Sequence, residues 1–184
     1  MRGEQMPSRT AQWLTGVLAV CALSGAPHAE GATTSGSVTF NTPGATNNWT
    51  VPDGVTAVTA VISGGGGGKG GNDSNPGAPG AVGGQVTVSF AVTPGDILTA
   101  YPGGAGSNGV TGNCSGGGNG GASGFPGSLY VGGLGGRAGC SGSSGGGGGG
   151  GAASVLKVGS DLVVAGGGGG GGGGRNYAAT PSRW

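Results

Sequence analysis

Between residues 103 and 151, glycine recurs at every third position. Read in triplets from Gly103, glycine opens 14 of 16 triplets, and only Ser115 and Tyr130 interrupt the row. Glycine makes up about half of this stretch, so chance alone would open roughly eight or nine triplets with it. Such a period is what a left-handed extended helix of three residues per turn requires when one face packs closely against neighbouring backbones. Collagen meets the same demand with proline or hydroxyproline at about 15–20% or more, whereas this run contains only Pro126. Fully extended at ~3.1 Å per residue, the run would stretch about 150 Å. The compact alternative is a series of short antiparallel segments packed as a polyglycine II bundle, and a flexible, linker-like insertion is the competing expectation. Gly77, Gly80 and Gly83 repeat the spacing, whereas the runs 64–68 and 166–174 are too uniform to show a phase.

The remaining sequence reads as short strands. Residues 37–40 lead into a Pro43-Gly44 turn, and 49–51 are followed by Pro52-Asp53-Gly54 and a Thr/Val/Ala run over 55–62. Val86, Val88, Phe90 and Val92 alternate with Thr87, Ser89 and Ala91, which is the two-residue period of a half-buried strand. Thr93-Pro94-Gly95-Asp96 places proline and glycine where a type II turn needs them, and 97–101 returns as a strand. Residues 153–158 and 161–165 flank Gly159-Ser160 as a hairpin. With about six short strands and no helical periodicity, the expected class is all-β. The expected architecture is a small sandwich or jelly-roll-like base carrying inserted glycine-rich segments, polyglycine II-like or disordered.

Composition narrows the function. The 184 residues include 54 glycines, and the formal net charge is only +1. Seven Lys/Arg, scattered along the chain, form neither a basic stripe for nucleic acid nor a basic amphipathic helix for a membrane surface. The first thirty residues read as a secretory leader: Arg2 and Arg9, an apolar stretch over 13–23, then small residues at Ser24, Gly25, Ala26, Ala29 and Ala32. The apolar stretch is too short to span a bilayer, so no membrane insertion is expected after cleavage. Val20 stands where lipidation at Cys21 would want a small residue. The expected organisation is a signal peptide over 1–29, a glycine-rich β domain over 30–174 and a tail over 175–184, giving a secreted or cell-surface protein.

Beyond the leader, two cysteines remain in an oxidising setting, Cys114 and Cys140. A disulfide between them is expected, with free thiols as the alternative. No metal or cofactor site is expected, since His28, at the processing region, is the only histidine. Apparent catalytic motifs are incomplete. Residues 63–70 resemble a phosphate-binding loop but lack its first glycine and its magnesium-binding hydroxyl. Gly142-Ser143-Ser144-Gly145-Gly146 has nucleophile-elbow spacing, yet a serine nucleophile needs a base that the mature chain lacks. Asp53 and Asp96 suit turns rather than catalysis, and the scattered Asp73 and Asp161 form no carboxylate pair. Trp49 and Phe90 are read as core. Tyr101, Phe125 and Tyr130, set among glycines, either fill gaps in the bundle or protrude as surface contacts. The chain is therefore expected not to be an enzyme.

Residues 49–56 running into 64–68, with 84–88, 93–98 and 103–106, resemble the glycine-rich domain of bacterial secreted and phage tail proteins. The 153–165 hairpin entering nine glycines is similar to the glycine-rich extracellular region of anaplastic lymphoma kinase and leukocyte tyrosine kinase. The resemblance spans residues 37–174 and implies a β-sandwich-like base bearing polyglycine II helices, used in surface recognition of an extracellular protein or surface. It transfers no contact residues. Unlike that pattern, no closing strand follows Gly174, which suggests a truncated domain. Binding to ice or another ordered surface is the alternative function, and self-association through the charge-poor surface is a further expectation.

Overall fold

The computed structural model describes residues 18–22, 36–112, 114, 116–140 and 144–175. The strands are β1 (Leu18–Ala22), β2 (Gly36–Phe40), β3 (Asn47–Thr50), β4 (Ala57–Ser63), β5 (Gln85–Ala91), β6 (Ile97–Tyr101), β7 (Ser154–Val158) and β8 (Asp161–Ala165). They build two four-stranded antiparallel sheets, ordered β2-β1-β4-β5 and β3-β6-β7-β8. The fold is all-β: the described residues contain no α-helix and only one 3-10 turn, Pro126–Ser128.

Alternation sets the faces. Val58, Ala60 and Ile62 of β4 are buried while their neighbours along the strand are half-exposed. They join Leu98 and Ala100 of β6, Leu156 of β7, Val51 and Val55 in one cluster shared by the two sheets. Trp49 and Phe90 pack against this cluster, as core residues should. The 93–96 turn has its Asp96 N–H on the Thr93 carbonyl at 3.0 Å, with Gly95 at φ 91°, where a side chain would be strained.

Leu18–Ala22 departs from the sequence expectation. These residues belong to the apolar stretch of the expected leader, yet here they form β1, paired with β2 on one side and β4 on the other. An apolar segment that completes two strand edges satisfies backbone groups on both, which reading by composition alone does not reveal. The rest of the expected leader, and the tail beyond Arg175, lie outside the described residues.

The glycine-rich sequence extends directly from the strands. Segment I (64–71) continues β4 and segment II (77–84) leads back into β5. Segments III (103–110), IV (116–124), V (130–137) and VI (144–153) run from β6 to β7, and segment VII (166–174) continues β8. Their amides bond across segments at three-residue intervals: Gly64, Gly67 and Gly70 of I donate to Gly84, Ala81 and Ala78 of II at 2.8–2.9 Å. Residues three apart therefore point the same way, which is the three-per-turn geometry of polyglycine II. Successive segments from III to VI are antiparallel, and this leaves IV parallel to VI. Here the backbone itself supplies the cohesion that an apolar core gives elsewhere, since each buried amide must find an acceptor.

Candidate recognition surface

The bundle is organised around segment VI. Its amides turn by one neighbour per residue: Gly145 donates to Gly174 of VII, Gly146 to Val110 of III and Gly147 to Gly136 of V. The cycle repeats with Gly148 to Gly171, Gly149 to Ser107 and Gly150 to Gly133, all between 2.8 and 3.0 Å. Its carbonyls face the intervening directions. Gly146 and Gly149 accept from Gly71 and Gly68 of I, and Gly147 and Gly150 accept from Gly118 and Gly121 of IV.

This packing depends on hydrogen in place of a side chain. A Cβ built on Gly170 would collide with the Gly148 carbonyl, and one on Gly148 with the Gly68 carbonyl. The row Gly166, Gly169 and Gly172 instead faces open space. In the uniform run 166–174, Gly168, Gly171 and Gly174 are buried while Gly166, Gly169 and Gly172 are exposed, a phase the sequence could not display. One correction concerns segment V. The glycine row read from the triplets includes Gly133 and Gly136, but a Cβ there meets nothing, and the packed row is Gly132 and Gly135, against the Gly150 and Gly147 carbonyls. The turn at Pro126–Ser128, with Ser128 and Tyr130 at positive φ, resets the phase by one residue.

At the sheet end of the bundle, Tyr101, Phe125 and Tyr130 form an edge-to-face stack, with ring centroids 5.1 Å apart in both pairs. Tyr101 is only 7% exposed, so it fills a gap. Phe125 and Tyr130 are half-buried beside the exposed Leu129. At another turn the expected Cys114–Cys140 disulfide is present, with Cα atoms 4.4 Å apart. It ties the III–IV turn to the V–VI turn, and the Arg137 guanidinium donates to the Cys114 carbonyl at 3.1 Å.

The outward rows carry apolar side chains on a glycine ground: Val82 (86% exposed), Leu134 (80%), Val110 and Val131. Between segments V, VI and VII lies a groove of about 580 Å³ whose walls are almost entirely glycine.

The motifs set aside on sequence grounds have structural employment. Amides of the phosphate-loop-like run are bonded within the bundle, Gly64 and Gly67 to segment II and Gly65 and Gly68 to segment VI. The Asp96 carboxylate accepts the Thr93 amide at 2.8 Å, and the Asp73 carboxylate accepts the Ser74 amide at 2.6 Å. Ser144 Oγ donates to the Gly139 carbonyl at 3.3 Å; Ser143 lies outside the described residues. Among the described residues, no helix is long and apolar enough to cross a membrane. Compared with known proteins, the chain matches no family model, no curated protein and no solved structure.

Proposed function

We propose that this chain is a secreted, non-enzymatic structural or surface-recognition protein, in which the β sheets form a base and the glycine bundle a stiff display platform. The observation that carries the reading is the interior of the bundle. It consists of backbone amides and carbonyls bonded to one another, so it offers shape and rigidity but few side chains for chemistry. Side chains are relegated to the outward rows, where Val82, Val110, Val131 and Leu134 stand exposed. Exposed apolar side chains on a rigid, weakly charged support suit contact with another surface, because little conformational entropy is lost on binding. The disulfide is compatible with an extracellular setting.

Expression of the full chain in a secreting host tests this. Processed protein is expected in the medium or at the cell surface, with slow amide exchange over residues 103–151. Surface retention should drop when Val82 and Val110 are replaced by Ser. Unprocessed protein confined to the cytoplasm, or fast exchange throughout the bundle, would overturn the proposal. A freezing-hysteresis assay on the same material separates it from ice binding.

A further inference from the structure

A three-per-turn helix has three rows of N–H and three rows of C=O, hence six directions in which a neighbour can bond to it. Around segment VI, five are occupied, by I, III, IV, V and VII. Each carbonyl row lies between one neighbour that donates an N–H and another whose glycine Cα approaches. The Gly146 and Gly149 row sits between I and III, and the Gly147 and Gly150 row between IV and V. The last row, Gly145, Gly148 and Gly151, meets the approaching glycines of VII but receives no N–H from any described residue. By the same alternation, its missing donor belongs between V and VII. The groove lies there, lined by V, VI and VII.

We propose that this groove binds an extended, glycine-rich strand of a partner, taken up as the missing sixth neighbour of segment VI. It names a ligand class for the recognition role and rests on that reading only for its extracellular setting. The chemistry of the occupant follows from the walls. Acceptors three residues apart require donors three residues apart, so the ligand needs an N–H at every third position and the same three-per-turn conformation. From Gly145 to Gly151 the acceptor row covers about 19 Å at ~3.1 Å per residue, matching roughly seven ligand residues. Close packing demands glycine on the donating row, as in the two resident neighbours that donate to segment VI: a Cβ on Gly68 or Gly71 of I, or on Gly118 or Gly121 of IV, would strike a carbonyl of III. The outward row is free, and Val131 and Leu134 on the rim provide apolar contact there. Proline on the donating row is excluded, for it has no N–H. Residues 175–184 contain no glycine, so they do not meet the requirement.

The test uses the purified, oxidised chain and a capped peptide of four Gly-Gly-Asn triplets, followed by amide NMR. Saturable shifts confined to segments V, VI and VII are expected. A polysarcosine oligomer of the same length, lacking every N–H, should bind roughly tenfold more weakly or worse. A Gly133→Val/Gly169→Val variant keeps the lattice, since both positions face open space and line the groove, and it should lose the shifts while retaining native amide exchange elsewhere. Absence of saturable shifts, equal binding of polysarcosine, or undiminished binding by the variant overturns the proposal. So does dimerisation that protects the groove without peptide, which would make a second copy the occupant. Any of these results leaves the export and platform reading standing, since that is judged on secretion and surface retention.

Discussion

The Ser154 hydroxyl donates to the Ser63 carbonyl at 2.6 Å, and the same oxygen accepts the Gly103 amide at 2.8 Å. Ser63 ends β4, Gly103 follows β6 and Ser154 begins β7, so one buried hydroxyl joins the two sheets where three chains pass from strand into bundle. Ser154→Ala leaves a buried amide and a carbonyl short of a partner, which costs ~1–3 kcal/mol. A urea midpoint unchanged from that of the parent would refute this role.

Neighbouring glycines within a featureless run should respond oppositely to the same substitution. Gly170→Ala forces a methyl group into the Gly148 carbonyl and should destabilise the protein by at least ~1–3 kcal/mol. At Gly169 the added methyl faces open space, and the loss of unfolded-state freedom should leave stability unchanged or raised by about 0.4–1 kcal/mol. Thermal melts of the two variants decide the matter: equal shifts in Tm would mean that segment VII is not held in the phase described.

Reduction of the Cys114–Cys140 bridge, with its sequence separation of 26, should cost about 3–4 kcal/mol by loop entropy. Because the bridge ties bundle turns, its loss should first speed amide exchange in segments IV and V. The β7–β8 hairpin should remain protected. Uniform acceleration across both regions would show instead that bundle and sheets unfold as one unit.

Among the described residues, strand β2 pairs with β1 alone. A chain shortened by residues 1–29, as the proposed export would leave it, lacks β1, so it should lose the amide protection of β2 that the full chain shows, and β4 should gain a free edge. Exchange measured on both forms provides the comparison. Retained protection of β2 in the shortened chain would mean that the strand re-pairs, with β4 as the nearest free edge.

Much of the base was legible in the sequence. Two-residue alternation and Pro-Gly turns placed β2 to β8 within a few residues of their observed limits, because strand faces and turn φ angles are local demands. The three-residue glycine period likewise announced three-per-turn segments over 103–151, and the cysteine pair implied their tie. Which glycine of each turn is packed was not legible in 166–174, where every residue is the same, and was displaced by one in segment V. That phase is chosen by the carbonyls of other segments, distant in sequence. The place of Leu18–Ala22 between β2 and β4, and the carbonyl row of segment VI left without a donor, are likewise properties of the assembled lattice. Local residue types determine what conformation a segment can hold; which backbone groups meet across segments is decided only when all of them pack together.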